Sequence, residues 1–226
     1  MLENLGGPEE HRVDGTAADL DARFADLNLV AVHLATVAQP RPCIPGLPDE
    51  AYDHDGQLTK AEVRAVTLAA LAPCDGELLW DVGAGAGSIA IEWLRSGPGM
   101  RAIAIERDPT RATRIAANAE RLGVPELVVS TGTAPGALAE LPAPDAIFVG
   151  GGISAPGLLD FCWNRLGQGG RLVANAVSVA GEAALLACHA DHGGKLLRLQ
   201  LARAETAGTQ LVWRPAMPVT QLVVRK

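Results

Sequence analysis

Short apolar runs alternate with amphipathic segments from Leu58 to Val177. The apolar runs are typical of buried strands, and we expect strands over 78–82, 102–106, 127–130, 145–149 and 171–177. Helices are predicted over 59–71, 88–95, 108–122, 135–141 and 156–166. Strands and helices that alternate at this spacing form right-handed βαβ units. The pattern therefore predicts an α/β fold with a mostly parallel sheet.

Two of the predicted helices begin with recognisable capping residues. Thr59 and Glu62 fit a capping box, in which a hydroxyl and a carboxylate each accept a hydrogen bond from a free backbone amide. Asp108 is the expected N-cap of a later helix, with Pro109 at its first position and Gly123 after its last turn.

The regular alternation ends near the C-terminus. Segments 196–201 and 219–224 alternate apolar and polar residues, with no helical pattern between them. We expect an antiparallel strand pair that closes one edge of the sheet. A dinucleotide-binding half-fold would continue with βαβ units, so this ending argues against that class.

The first 57 residues differ from the rest of the chain. They are rich in proline and acidic residues, with one apolar stretch from Leu27 to Val37. The prolines from Pro40 to Pro48 disfavour helix at and just before each position, which predicts a linker. We expect a domain boundary near residue 45.

The chain is acidic, with a net charge of −7. This charge disfavours nucleic acid or anionic lipid as the main partner. No apolar run approaches the roughly 20 residues that cross a bilayer, and the first residues lack the pattern of a signal peptide. A cytoplasmic protein without a membrane span is expected.

Cysteine and histidine suggest a metal site at one place, Cys188, His189 and His192. The two histidines would share a helix face, but no second pair of ligands lies at a useful spacing. Gly193 follows as a typical helix stop. We therefore expect a polar helix end and no metal.

The first predicted strand runs into a glycine-rich turn at residues 83–87. Gly83 can adopt unusual backbone angles, Gly85 allows a ligand to approach the main chain, and Gly87 allows the next helix to pack closely. The spacing differs from the dinucleotide fingerprint, and the Gly-Lys-Ser/Thr of a P-loop is missing. Ligands of parallel sheets bind beyond the carboxyl ends of the strands, so we expect a ligand here.

Two carboxylates at strand ends narrow the choice of ligand. The spacing of Glu106 from the turn suits hydrogen bonds to ribose hydroxyls, and Asp81 would meet an ammonium group. Together these groups describe S-adenosylmethionine better than NAD. Alternatively, both carboxylates only cap neighbouring helices. Gly132 and Thr133, after the third strand, would border the adenine ring or simply begin the next helix.

Four segments carry a resemblance to a known family. They are 44–50, the L-T-K-x-E-V-R block at 58–64, the glycine-rich turn and the triple glycine at 150–152. Over residues 44–226 the chain resembles the decarboxylating precorrin methyltransferases of cobalamin biosynthesis. The resemblance implies a Rossmann-like class I methyltransferase domain with a mostly parallel seven-stranded sheet. It also implies S-adenosylmethionine as co-substrate, methylation at carbon 15 and loss of the ring C acetate carboxyl as carbon dioxide.

Segments 3–10 and 24–30 are similar to the end of the tetrapyrrole methylase domain that acts at carbon 5. In fused enzymes that domain precedes the class I domain. Residues 1–43 are therefore interpreted as its remnant with a linker, and the carbon-5 site would be missing here. The resemblance also implies a homo-oligomer, since tetramers are common in the family.

The same resemblance implies roles for individual residues. The expected donor contacts are Asp81, Gly83, Gly85, Gly87, Glu106, Gly132 and Thr133. Thr133 departs from the family pattern, where an acidic residue is expected, although a hydroxyl can still accept a hydrogen bond from the adenine amine.

A precorrin carries many carboxylates, so an acidic chain needs locally clustered cations to bind it. Lys60 and Arg64 are the first candidates, followed by Arg107 and Arg203. The alternative is that they belong to a solvated helix face. The expected substrate contacts are Lys60, Arg64, Gly151 and Gly152.

Two other functions fit the same core. One is a class I methyltransferase that acts on RNA or protein, and the other is a nucleotide-binding module without catalysis. Amino-methylating enzymes often have an acidic residue or Asn, then Pro-Pro and an aromatic residue, after the fourth strand. This chain has Gly150-Gly151-Gly152-Ile153 there, and it lacks a basic stripe.

Overall fold

The computed structural model describes residues 1–16, 24–33 and 41–226. Chain contacts divide the protein into two units, Met1–Arg41 and Pro42–Lys226. The predicted apolar stretch from Leu27 to Val37 and the linker that begins at Pro40 fall partly outside the described residues.

The first unit contains a small antiparallel sheet. Its strands are β1 (Leu2–Glu3), β2 (His11–Arg12) and β3 (Asn28–Leu29). Strand β1 lies in the middle, and Leu2 pairs with both Arg12 and Leu29.

The second unit is built on a seven-stranded sheet in the order β6-β5-β4-β7-β8-β12-β9. The strands are β4 (Leu78–Val82), β5 (Arg101–Glu106), β6 (Val128–Thr131), β7 (Ala146–Val149), β8 (Arg171–Ala176), β9 (Lys195–Leu199) and β12 (Val219–Arg225). Strands β4 to β8 are parallel, and β12 runs antiparallel to both β8 and β9. The predicted α/β architecture is confirmed.

Helices cover both faces of this sheet. They are α1 (Ala61–Leu71), α2 (Ser88–Arg95), α3 (Pro109–Arg121), α4 (Leu158–Arg165) and α5 (Val179–His192). Consecutive strand residues point to opposite faces. Leu79 therefore packs in the core under α1, α2 and α3, whereas Trp80 packs in the core under α4 and α5. These two buried layers hold the carboxyl ends of the strands in place.

The predicted capping box is wrong. Helix α1 begins at Ala61, and Lys60 occupies the N-cap position without a side-chain hydrogen bond. The Ala61 amide instead donates to Asp49 Oδ1 at 3.0 Å. A carboxylate distant in sequence thus takes the role predicted for Thr59. The cap of α3 is as predicted, because the Asp108 side chain accepts from two amides of its first turn.

Two further segments differ from the sequence prediction. The helix expected over 135–141 is a single 3-10 turn, Gly136–Leu138. The chain between β9 and β12 forms a hairpin of β10 (Ala202–Ala207) and β11 (Gln210–Pro215), which is a sheet of its own. The predicted antiparallel pair is present as β9 and β12, but β12 lies inside the sheet, between β8 and β9.

The end of α5 carries the histidines considered as metal ligands. His192 stacks on Trp163, with ring centroids 4.2 Å apart. Within residues 1–16, 24–33 and 41–226, no three His, Cys, Asp or Glu side chains are placed to hold one metal ion. No helix in these ranges is long and apolar enough to span a bilayer.

Candidate functional site

A cleft of about 410 Å³ opens at the carboxyl ends of β4, β5 and β7. Strand β4 lies between β5 and β7, so the strand order reverses here, as expected for a ligand site in an open α/β sheet. The predicted residues that line the cleft are Gly83, Gly85, Glu106, Gly132, Thr133, Gly151 and Gly152. Lining residues without a predicted role include Gln57, Arg111 and Ser154.

The three glycines of the glycine-rich turn lie too close to neighbouring segments to carry a side chain. Gly83, Gly85 and Gly87 all have positive φ angles, of 72°, 61° and 78°. A Cβ atom on Gly85 would lie 2.8 Å from the Gln57 carbonyl oxygen. A Cβ on Gly87 would lie 2.7 Å from a methyl group of Ile115 in α3. Gly87 thus allows α3 to pack closely against the turn, and Gly87 itself does not line the cleft.

Glu106 connects the end of β5 to this turn. Its Oε2 accepts from the Gly85 amide at 2.9 Å, and its Oε1 accepts from the Asp108 amide at 3.0 Å. A carboxylate has about four acceptor sites, so two remain for a ligand in the cleft. Glu106 therefore shapes the turn and can still bind hydroxyl groups.

Asp81 lies beneath the turn and does not line the cleft. Its side chain is 1% exposed, and its Oδ2 accepts from the Ala90 amide in the first turn of α2 at 3.0 Å. In the described part of the chain, Oδ1 has no hydrogen-bond partner. The pKa of Asp81 is raised to about 7, mainly by burial; the hydrogen bond from the Ala90 amide lowers it, and the nearby Glu106 carboxylate also raises it. This placement agrees with the capping alternative.

Gly132 and Thr133 follow β6 at the other side of the cleft. The Gly132 amide donates to the Glu106 carbonyl at 2.9 Å, and the Thr133 carbonyl accepts from the Ala137 amide at 3.0 Å. The segment therefore both borders the cleft and begins the short Gly136–Leu138 turn.

Arg64 does not reach the cleft, which corrects its predicted substrate contact. Its side chain is fully buried, at 0% exposure. Its Nε donates to Glu92 Oε1 at 2.5 Å, and its Nη atoms donate to the carbonyls of Thr59 and Leu47. The sequence did not reveal this role, because Glu92 lies on α2 and approaches α1 only in the folded protein.

The Glu92 carboxylate accepts several hydrogen bonds from the segment that precedes α1. Besides Arg64, it accepts from the amides of Gly46 and Leu47 at 2.6 and 3.1 Å and from the Tyr52 hydroxyl at 2.9 Å. Burial and this carboxylate raise the pKa of Tyr52. The network anchors residues 46–52 to α1 and α2.

The other candidate cations have different surroundings. The Lys60 side chain is 42% exposed and lies 3.4 Å from Asp49, outside the cleft lining. Arg107 is exposed and lines the cleft. Arg203, on β10, pairs with Glu62 of α1. Of these three cations, Arg107 lines the cleft, whereas Lys60 and Arg203 are partly exposed and each pairs with a carboxylate.

Sequence reasoning missed the segment 53–57 altogether. Its aspartates pair with arginines three positions apart on α3, Arg111 and Arg114. Two acidic residues in one segment and two basic residues on one helix face are a weak signal. The pairing can be recognised only in the folded protein, where segment 53–57 and α3 lie next to each other near the cleft.

Comparison with known proteins agrees with this architecture. A family model described as a precorrin methyltransferase domain matches residues 50–226. The chain is 50% identical over 228 residues to a protein of Sinorhizobium sp named precorrin-6Y C(5,15)-methyltransferase [decarboxylating]. That match covers 98% of this chain and 54% of the relative. A protein of the same name from Mycobacterium tuberculosis is 47% identical, over 100% of this chain and 57% of its own length. The chain thus spans about half the length of these curated relatives.

Solved structures give the same result. The C-terminal domain of precorrin-6Y C5,15-methyltransferase from Rhodobacter capsulatus is 45% identical, with a TM-score of 0.77, over 82% of this chain and 100% of that domain. A SAM-dependent O-methyltransferase from Thermotoga maritima, 15% identical over 75% of this chain and 66% of its own, has a TM-score of 0.59 and shows the shared class I methyltransferase fold. By sequence and by fold, this chain belongs to the precorrin methyltransferase domain family.

Proposed function

We propose that this chain is the part of a longer precorrin-6Y C(5,15)-methyltransferase that methylates carbon 15 and decarboxylates the ring C acetate. The methyl donor is S-adenosylmethionine, and the pathway is cobalamin biosynthesis. One observation carries the proposal: Glu106 lines a cleft between the glycine-rich turn and the triple glycine. The names of the relatives supply the substrate class.

The donor fits the chemistry of this cleft. The Glu106 carboxylate is an acceptor for ribose hydroxyls. Gly83 and Gly85 line the cleft, where their backbone would face the methionine part, and Gly132 and Thr133 border the adenine. Asp81 acts from beneath the turn, through the amide that it binds in α2.

Both steps of the reaction depend on alignment. The methyl group leaves the sulfonium and bonds to an electron-rich carbon of the macrocycle, which releases S-adenosylhomocysteine. In the decarboxylation, the bond between the acetate methylene carbon and the carboxylate carbon breaks and carbon dioxide leaves. The ring delocalises the released electron pair until a proton from solvent takes the place of the carboxyl group. The protein holds the two reactants in line, which accounts for much of the rate of such transfers.

Substrate carboxylates require cations near the cleft. We assign this role to Lys60, with Arg107 as a second contact, because both side chains are accessible. Gly151 and Gly152 allow the macrocycle to approach the main chain after β7. Lys60 would act as a point charge for an acetate or propionate group.

We infer that residues 1–43 belong to the preceding tetrapyrrole methylase domain of the full-length enzyme. The relatives match almost the whole chain, whereas the family model begins at residue 50. We also infer a cytoplasmic homo-oligomer, with four copies as the expected assembly. Light scattering of the purified chain tests the number of copies.

To test the function, the chain is incubated with a precorrin and S-adenosylmethionine, and the mass of the product is measured by mass spectrometry. Gain of a methyl group with loss of carbon dioxide is expected. An unchanged pigment contradicts the proposal, and transfer of labelled methyl groups to RNA or protein would favour that alternative.

A further inference from the structure

The segment 53–57, here called the cleft loop, reaches the cleft at its last residue. Gln57 at its end lines the cleft, and the Gln57 carbonyl oxygen faces Gly85 so closely that a Cβ there would lie 2.8 Å away. The position of the cleft loop therefore sets the width of the site beside the glycine-rich turn.

One side chain of α3 ties the cleft loop to that turn. Asn118 is 1% exposed. Its Oδ1 accepts from the Asp53 amide at 2.9 Å and from Arg121 Nη2 at 2.8 Å. Its Nδ2 donates to the carbonyls of Asp53 and Ala86, at 2.9 and 3.0 Å. A primary amide has both the donors and the acceptor that this arrangement needs, and a carboxylate does not.

Ion pairs hold the outer side of the cleft loop on the same helix. Asp55 lies 2.9 Å from Arg111 Nε and 3.3 Å from Arg114 Nη1, and Asp53 lies 3.4 Å from Arg114 Nε. Arg111 and Arg114 are neighbours on the helix surface because they are three positions apart. The hydrogen bond from Arg111 is the largest of several contacts that lower the pKa of Asp55.

We propose that Asn118 is a positioning residue for methyl-donor binding, and that Asp55 assists it. Asn118 holds the cleft loop and the glycine-rich turn at a fixed separation, so the donor meets a site that is already formed. Such preorganisation increases affinity because less chain must be ordered on binding. The identity of the donor rests on the function proposed above, but the coupling of loop and turn does not.

The main test measures S-adenosylhomocysteine binding to the 226-residue chain by calorimetry. Asn118→Ala is expected to raise the Kd at least about tenfold, because it removes buried hydrogen bonds that shape the site. The matched control is Asn175→Ala. Asn175 is also a buried amide that joins elements, through Thr67 and Gln221, but it does not contact the cleft loop. This control should lose stability and keep the Kd of the unchanged protein.

A second variant covers the case in which Asn118→Ala fails to fold. Asp55→Asn removes a partly exposed charge, and we expect the Kd to rise about two- to fivefold, with a weaker dependence on salt. Glu182→Gln, in the exposed pair with Arg198, is its control and should change neither.

Amide hydrogen exchange without ligand separates this inference from the proposed function. Asn118→Ala and Asp55→Asn should both speed exchange at residues 83–87, and neither control should. If the unchanged protein binds no S-adenosylhomocysteine, the proposed function fails while the exchange result still tests the coupling. The inference is overturned if Asn118→Ala folds and leaves both the Kd and the exchange of the turn unchanged. If Asn118→Ala does not fold, the same result for Asp55→Asn overturns it.

Discussion

Gly83 and Gly151 approach so closely that a Cβ atom on Gly83 would lie 2.5 Å from the Cα of Gly151. The turn after β4 and the triple glycine after β7 therefore pack backbone against backbone. This contact gives the triple glycine a structural reason in addition to the expected contact with the substrate. It also brings together the two loops for which we propose contacts with the donor and with the precorrin.

Gly83→Ala should destabilise the protein by about 1–3 kcal/mol, because it adds a steric clash to a left-handed backbone conformation. Urea denaturation measures the free energy of unfolding. Gly167→Ala is the control, since Gly167 has open space around its Cα and an ordinary φ angle. Equal stability of the two variants would contradict the close packing of the two loops.

Arg64→Met should reduce stability by about 3–5 kcal/mol, because it leaves Glu92 as a buried charge without its guanidinium partner. The free energy of unfolding again gives the answer. A variant with normal stability but weak precorrin binding would restore the original interpretation of Arg64 as a substrate contact.

Lys60→Ala should raise the KM for the precorrin about fivefold or more, with stability nearly unchanged because exposed ion pairs contribute about 1 kcal/mol at most. Steady-state kinetics and S-adenosylhomocysteine titration separate the two substrates, and donor affinity should not change. Lys195→Ala, on the edge strand β9, is the control. Equal losses for donor and precorrin would contradict a specific contact between Lys60 and the precorrin.

Asp81 should make stability depend on pH. The carboxyl has a pKa of about 7 when folded and an ordinary value of 3.8, so the folded protein binds more protons between these values. Its stabilising contribution is complete below about pH 4 and is lost as the pH rises through 7. The slope is at most about 1.4 kcal/mol per pH unit.

Asp81→Asn does not titrate at this position. The free energy of unfolding of the unchanged protein minus that of this variant should therefore fall from about pH 4 to about pH 7 and then level off. Urea denaturation of both proteins at several pH values measures this difference. The contributions of the other titrating groups cancel because both proteins contain them. A constant difference would show that Asp81 is ionised throughout.

Glu106→Gln should weaken S-adenosylhomocysteine binding at least about tenfold. The Gly85 and Asp108 amides donate to different oxygens of the carboxylate, and glutamine replaces one of these oxygens with an NH2 group that cannot accept. Calorimetry measures the Kd, with Glu205→Gln in the exposed pair on the hairpin as control. Unchanged binding would remove Glu106 from the donor site.

Much of the core was predictable because its signals are local. The buried strand β4, the glycine-rich turn and the Asp108 cap each depend on residues within a few positions of one another. The antiparallel ending was also predictable, since β9 and β12 show strand alternation. The position of β12 inside the sheet was not, because strand order depends on pairing between distant segments.

The errors and omissions share one physical cause. Thr59 and Arg64 have the sequence surroundings of a cap and a surface cation. In the structure, Asp49 takes the place of Thr59 as the cap of α1, and Arg64 forms a buried ion pair with Glu92. Asn118 has no local motif at all, because its partners Asp53 and Ala86 lie 65 and 32 positions away.

The sequence by itself determined the βαβ order, the turn after the first long strand and the carboxylate that ends the second, because backbone preference and apolar periodicity act over short distances. Tertiary structure decided which polar side chains are buried and which line the cleft. Those outcomes depend on long-range contacts, where a charge or an amide is stable in the interior only with a partner from another element.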